Sequence, residues 1–432
     1  MTLARWLAVA SLAAIGLATL KPQATSSDLG HLCFICGEYG TVDAILNVVL
    51  FAPLGIALAR SGMRPATAIL AGCLCSMLIE LAQLFVVPGR NANIGDVAMN
   101  TLGTAVGFAL GVAGRRPLLP HATLASRLLA AWIGLWVTLQ LLSGYSFMAM
   151  LPEPPYYRHF NRPPAQGRDA FAGVVLSASV NGEPLAAPLL DNAQRLKTWL
   201  RQPQGTTIRA VVVASGVAPS AEIFNVSGPG MEDLFGFDQL DRSFVFGLRT
   251  GADALRLRPH AYRLADVFDA DARPDTIVLL ARHTSSGVVL SATAGGRTHG
   301  QQLSRELSSG WRLFLPIPTY IDGGRFGVVA AIAYMMLLSA PAGYWSAFVS
   351  PEVNRRRAAL LGAATALVLM TGLAVVARQF ALRPPPPWEY LSVGVGVVMG
   401  LLIGLRVVSL FRRNNVAVSP QSFLPRASTT AV

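Results

Sequence analysis

Apolar segments recur along this chain at a length that dictates their surroundings. A run of about 17 to 25 residues with almost no charge is what a helix needs to cross the hydrocarbon core of a bilayer, where every backbone N–H and C=O must be satisfied inside the segment. Eight such runs are present: Ala4 to Leu20, Asp43 to Ala59, Pro65 to Val87, Asp96 to Gly114, Leu124 to Met150, Phe326 to Phe348, Ala358 to Gln379 and Trp388 to Leu410. Arg5 ahead of a short apolar stretch also fits a secretory signal in the first run, although no clear small-x-small cleavage site precedes Ser27. Only 13% of the residues are charged and 53% are hydrophobic, whereas soluble domains carry roughly 25% charge. The fold class that follows is a polytopic α-helical membrane protein of about eight transmembrane helices, interrupted by one long polar insertion.

Arginines orient the spans. Arg60 with Arg64, Arg115 with Arg116, Arg355 to Arg357, and Arg412 with Arg413 fall in alternate connections, so the positive-inside rule places both termini in the cytoplasm and the other connections outside. The longest outward connection, Leu151 to Arg325, is nearly balanced in charge, so the net charge of +12 sits on the membrane-flanking segments. That excess is a topology signal and not a nucleic-acid footprint, and no basic-aromatic RNA or DNA module is visible.

The insertion changes period. Short β-branched or alternating runs ("TTIRAVVVAS", "AEIFNVSG", "SFVFGLRT", "ALRLRPH", "DTIVLLARH", "GVVLSATAGG", "WRLFLPIP") are separated by Gly, Pro, Asn and Asp, which is the pattern of a two-sheet antiparallel sandwich. The organisation expected is a five-helix membrane domain over 1–150, a Pro-rich linker over 151–167, an outward β domain over 168–325, three C-terminal helices over 326–411 and a cytoplasmic tail over 412–432. The stretch "AEIFNVSGPGMEDLFGFDQLDRSFVFGLRT" resembles the concanavalin A-like, or laminin G-like, jelly-roll superfamily, and the resemblance implies an inserted jelly-roll sandwich that binds carbohydrate or protein. The Glu-x-Asp-x-x-Glu strand of related glucanases is absent, and Glu232, Asp233, Asp238 and Asp241 read as turn residues.

Polar residues inside the greasy helices carry the chemistry. Ser76, Glu80 and Gln83 are spaced i, i+4, i+7, so at about 100° per residue they share one face of the third span. Asp96, Asn100, Gly103 and Gly107 repeat that stripe on the fourth, with small residues at its lower half for close helix approach. The second span adds Asp43 and Asn47 at its outward end, and Pro53 and Gly55 deeper in. A carboxylate near mid-bilayer costs about 2.5 to 3.5 kcal/mol, so Glu80 is expected to turn from lipid and pair with Arg90, an amide or water. The polar set then forms either a pocket open to the outer surface or a buried network that fixes helix register.

From Cys36 to Leu110 the pattern "CGEYGTVDAILNVVLFAPLGIALARSG…CSMLIELAQLFVVPGRNANIGDVAMNTLGTAVGFALG" resembles the VanZ-like family, named after a protein associated with resistance to the glycopeptide teicoplanin. Asn47, Phe51, Pro53, Leu54 and Gly55, then Ser76, Glu80 and Gln83, then Arg90, then Asp96, Asn100, Gly103 and Gly107 carry the likeness. It implies a multi-pass protein of the bacterial inner membrane that acts at the cell envelope and supplies no reaction, while the β domain, extracytoplasmic by the arginine pattern, and the three spans after it depart from the family's pattern.

The remaining motifs are spare. Cys33 and Cys36 form a C-x-x-C that suits a disulfide in an outward loop, and with His31 they do not complete a zinc site. Cys73 and Cys75 lie within the third span and read as packing residues. No phosphate loop, nucleophile elbow or H-E-x-x-H helix occurs, so no metal and no cofactor are expected. His283 and Ser285 in "ARHTSSG" read as a β-turn. Two functions remain: a non-catalytic module recognising a membrane lipid, a lipid-linked glycan, a cell-wall polymer or an envelope protein through Asn47, Ser76, Glu80, Gln83, Arg90, Asp96 and Asn100, or a membrane-embedded enzyme with Glu80 or Asp96 as general base and Arg90 as a phosphate clamp.

Overall fold

A computed structural model describes residues 3–22, 34–35, 37–90, 92–160, 169–202, 205–214, 216–269, 275–349 and 355–416. Cys33, Cys36 and His31 lie outside the described residues. The chain divides into two compact units, one formed by 1–114, 139–331 and 373–385 and the other by 115–138, 332–372 and 386–432.

The first five helices are α1 (Leu3–Thr19), α2 (Gly40–Arg60), α3 (Pro65–Phe85), α4 (Ile94–Ala113) and α5 (Ala122–Tyr145). The β region then runs β1 (Tyr157–Phe160), β2 (Gly173–Val180), β3 (Glu183–Pro184), α6 (Ala193–Arg201), β4 (Thr206–Ala214), β5 (Ala218–Ser227), β6 (Asp233–Asp241), β7 (Ser243–Leu248), α7 (Gly251–Ala254), β8 (Ala261–Leu264), β9 (Asp275–Thr284), β10 (Gly287–Ala294) and β11 (Arg297–Ser304), then a 3-10 helix (Leu307–Phe314) and β12 (Tyr320–Ile321). Helices α8 (Arg325–Ser346), α9 (Arg355–Gln379) and α10 (Pro387–Val416) complete the chain. Among the described residues, seven of these helices are long and apolar enough to cross a membrane, while α1 is apolar but shorter, at 17 residues. The protein is thus a helical membrane protein with an inserted all-β region, and the helix bounds fall within a few residues of the apolar runs.

Glycine sets the spacing of the first unit's helices. A Cβ placed on Gly107 would lie 1.9 Å from the Ala52 carbonyl oxygen, and one on Gly103 would lie 2.5 Å from that of Val48, so α2 and α4 meet backbone to backbone. Gly55 meets the same seam from the α2 side, against the Thr104 carbonyl, and Pro53 lies inside α2. Without a hydrophobic force between helices in lipid, such van der Waals contact is what holds them together. Ile15 of α1, Phe51 and Leu54 of α2 and Ile79 of α3 close the apolar side of this bundle.

The β region consists of two six-stranded sheets, ordered β1-β5-β6-β7-β8-β12 and β11-β10-β9-β4-β2-β3. All strand pairs are antiparallel except β12 with β8, and the arrangement is compatible with a jelly roll. Along β6 the alternation is clean: Phe235, Phe237 and Gln239 are buried, while Gly236, Asp238 and Leu240 lie on the less covered face. Phe237 contacts Phe224, Phe244 and Phe246 edge-on, so the aromatic core is shared by adjacent strands.

Several sequence expectations are corrected. "ALRLRPH" is not a strand, because Thr250 and Asp253 form a capping box that starts the helical turn α7 just before it. "WRLFLPIP" is not one either: Leu307, Gly310 and Leu313 are buried at a spacing of three, which is 3-10 geometry, and Pro316 and Pro318 cannot donate to a ladder. Asp233, Asp238 and Asp241 lie within β6 and not in turns, and only Glu232 stays outside the strand. Ser285 is in a turn, but His283 belongs to β9 and is buried.

The β region is seated on the helical part within the first unit. Val42 of α2 packs with Ala252, Leu257 and Leu313, the Thr41 amide donates to the Arg256 carbonyl at 3.2 Å, and the Ser143 hydroxyl of α5 donates to the Leu307 carbonyl at 2.8 Å. Beneath that seam His260 stacks on Phe147, with ring centroids 4.1 Å apart. Arg305, only 3% exposed, donates to the Tyr262 hydroxyl at 3.0 Å and to His283 Nε2. A guanidinium can only donate, so His283 Nε2 carries no proton.

Both histidines are held neutral by burial first and by guanidinium charge second. Burial, then Arg312 and Arg305, push His260 down to about 3, and burial, then Arg305, push His283 well below its ordinary value. In the unfolded chain they titrate near 6.5, so the unfolded state takes up more protons as the pH falls below that point. Stability is fully present above about pH 6.5 and is lost toward pH 3, at up to about 1.4 kcal/mol per pH unit for each histidine. The melting temperature of the full chain in detergent is therefore expected to fall between pH 6.5 and 5, with His260→Gln roughly halving the slope. Parallel slopes in the two proteins would refute this.

The second unit is held by small residues and indole donors. Cβ atoms on Gly400 and Gly343 would lie 1.8 Å from the Ala340 carbonyl and 1.9 Å from the Val397 carbonyl, which brings α8 against α10. The Trp132 and Trp345 indoles donate to the Leu338 and Pro117 carbonyls at 2.8 and 2.9 Å.

Candidate functional site

The polar faces of α2, α3 and α4 meet, and short hydrogen bonds fix how. The Asn47 amide of α2 donates to Asp96 Oδ1 of α4 at 2.8 Å. Asn100 Nδ2, one turn further along α4, donates to Ser76 Oγ of α3 at 2.9 Å. The Glu80 carboxylate accepts the backbone N–H of Asn93 at 2.7 Å. Asn93 is itself the α4 N-cap, its side chain accepting from Gly95 N at 2.8 Å. One asparagine thus ties the Glu80 carboxylate to the start of the helix that carries Asp96 and Asn100.

Glu80 takes the amide and not the guanidinium. Among the described residues Glu80 and Arg90 form no ion pair; Arg90 reaches instead to the Ala18 and Lys21 carbonyls at the end of α1, both at 3.3 Å. Gln83 makes a parallel contact, donating to the Thr19 carbonyl at 2.9 Å. Helix dipoles leave these carbonyls partly negative, so the end of α1 is where a cation and an amide donor are stabilised.

Asp43, Asn47, Glu80, Gln83, Arg90, Asp96 and Asn100 all line one cavity of about 1930 Å³, and Ser76 supports it from behind Asn100. Its opposite wall was not read from the sequence: it is the outer face of β5, β6 and β7 with the chain from Arg249 to Ala261. Asn225 pairs with Gly236, and Gly236 with Gly247, across neighbouring strands, so this wall has a bare backbone trough edged by Asn225 and Asp238. Arg258 lies over the Tyr39 ring, 3.6 Å from its centroid, and donates to the Pro316 carbonyl at 2.9 Å. Burial raises the Tyr39 phenol above its ordinary value, with Glu38 adding to the rise and Arg258 opposing it. Burial likewise raises the Asp253 carboxyl, against the Thr250 amide it accepts from.

The two carboxylates expected as general bases are each engaged by an amide donor, Glu80 by Asn93 N–H and Asp96 by Asn47, and the cavity is larger than the roughly 300–1,000 Å³ of ordinary small-molecule pockets. No curated protein and no solved structure matches the chain. Residues 8–114, which bring together α1 to α4 and with them every one of the helical cavity residues, match the family model of VanZ/LLP1, so this half of the site is a VanZ/LLP1-like domain.

Proposed function

We propose that this protein is a cell-envelope membrane protein that binds, without chemistry, the head group of a lipid-linked glycan or a related cell-wall or glycopeptide-type ligand. The observation that carries this reading is the shared cavity. Its floor is the Asn47–Asp96 and Asn100–Ser76 cluster of the VanZ-like helices, and its roof is the outer face of a β-sheet. A lipid-borne head group enters such a space from the bilayer while its sugars lie along the sheet. In this reading the chain resides in a bacterial inner membrane with the β region outside, because Arg60 and Arg64 sit at the opposite ends of α2 and α3 from Asp43 and Gln83.

The test is a panel of polyprenyl-phosphate-linked sugars presented to the full chain in lipid nanodiscs, scored for retention and for chemical turnover. Retention of at least one unaltered ligand is expected; turnover instead would establish the enzyme with Glu80 or Asp96 as base. Single cysteines at Thr298 and Ser61, in a cysteine-free background, are expected to be labelled by an impermeant reagent from outside and to be protected, respectively. The reverse result would invert the topology.

A further inference from the structure

We propose that the seam between the β region and the helices of the first unit is an acid-operated latch: a proton taken up at His260 releases the β region from α5 while the sandwich itself stays folded. The hydrogen bonds at the seam leave no place for that proton. His260 is 2% exposed and stacks on Phe147, just beyond the end of α5. Ser146 Oγ gives its one proton to the Ser143 carbonyl at 2.6 Å, so at 3.0 Å it accepts from His260 Nε2–H. A second proton would go to Nδ1, which is buried without a hydrogen-bond partner among the described residues. What holds the seam is small: Val42 against Ala252, Leu257 and Leu313, the Thr41 amide on the Arg256 carbonyl, and the Ser143 hydroxyl on the Leu307 carbonyl. The sandwich has its own core of Phe224, Phe237, Phe244 and Phe246, so the seam opens first. The chain from Arg249 to Ala261 leaves with it, and the cavity it lines opens on the β side. The latch belongs to the seam and is independent of what the cavity holds.

The charge around His260 has one sign. Arg305 is 3% exposed and lies 5.9 Å from the centroid of the same Phe147 ring. Arg312, also buried, donates to the Tyr320 carbonyl at 2.9 Å. These two guanidinium groups are the charges acting on His260. His283 of β9, whose Nε2 receives an N–H from Arg305, and Tyr262 of β8, which accepts from Arg305 at 3.0 Å, complete the titratable groups of the cluster. Arg258, two residues ahead of His260, is turned to the Tyr39 ring and the Pro316 carbonyl. The carboxylates of neighbouring elements are engaged: Asp322 by Arg263 at 2.7 Å and by the charge of Arg312, Glu306 by Arg383 at 3.9 Å, and Asp253 by the Thr250 amide at 2.7 Å. An imidazolium at His260 would be a further buried cation in a cluster whose carboxylates are already taken, and a buried charge without its own partner is strongly disfavoured. In water the same ring takes a proton near pH 6.5. The docked seam therefore excludes a proton that the open seam binds, and each pH unit below that point favours opening by up to about tenfold.

The test is hydrogen exchange on the full chain in lipid nanodiscs from about pH 7.5 to 5, corrected for the intrinsic pH dependence of amide exchange. Peptides carrying Thr41, whose N–H crosses the seam to the Arg256 carbonyl, and the stretch 305–314 report the latch, while peptides over β6 and β7 report the sandwich. Between about pH 6.5 and 5 the opening constant of the seam is expected to rise by up to about thirtyfold, with that of β6 and β7 unchanged. His260→Gln keeps a donor for Ser146 and cannot take a proton, so it is expected to remove that rise. Ser146→Asp places a carboxylate beside His260 Nε2 and is expected to hold the seam closed at low pH; it decides the matter where the glutamine variant fails to accumulate. A seam constant that does not move with pH, or a rise that persists in both variants, overturns the inference. A parallel rise in β6 and β7 overturns it as well, because the sandwich would then be unfolding as a whole.

Discussion

Gly107→Leu is expected to abolish accumulation of the folded protein. The substitution adds a branched side chain where even a Cβ would lie 1.9 Å from the Ala52 carbonyl oxygen and 2.7 Å from its carbon. Backbone cannot swing aside as a side chain can, so α2 and α4 must separate. Ordinary overpacking costs about 1–3 kcal/mol, and here the separation also pulls Asn47 from Asp96, so a loss above about 3 kcal/mol is expected. Gly134→Leu is the control, since a Cβ there meets nothing within 4 Å; it should accumulate normally. Quantifying both in membranes by fluorescence-detected size exclusion decides the matter, and normal levels of Gly107→Leu would show that the seam is looser than the backbone contacts require.

That seam is also where sequence and structure agree most closely, for a physical reason. Hydropathy over 20 residues is a strong signal, and a small-residue stripe at helical spacing has few other uses in lipid. Gly103 and Gly107 therefore announced a close helix approach, though not that α2 would make it, and the stripe of Asp96 and Asn100 announced which face would meet α3. The β region was legible only in part. Short runs such as "WRLFLPIP" alternate like a strand and yet form a 3-10 helix, because periodicity over eight residues does not separate the two. The roof of the cavity was not legible at all. Asn225, Gly236 and Gly247 line the same cavity as Glu80 although the segments are about 150 residues apart, and nothing local to either segment encodes that. Asn93 was not singled out from the sequence at all: it became visible only as the α4 N-cap, and its amide's bond to Glu80 has no local signal.

Glu80→Gln is expected to leave the protein folded at normal or slightly raised stability and to lose ligand binding. Glutamine keeps the carbonyl oxygen that accepts the Asn93 amide, so the α3–α4 connection keeps its anchor, while the cost of a carboxylate at this depth disappears. Glu80→Ala removes the anchor too and should cost about 1–3 kcal/mol, the penalty for stranding the Asn93 N–H. The contrast between Gln and Ala separates the charge from the hydrogen bond. Combining Glu80→Gln with Arg90→Gln tests whether the two act as one unit. Because Arg90 is held by the Ala18 and Lys21 carbonyls and not by Glu80, the two effects on melting temperature should add to within about 0.5 kcal/mol. If instead each single variant is unstable and the double variant is restored in both stability and binding, Glu80 is a strut between helices, and the cavity is a by-product of how they pack.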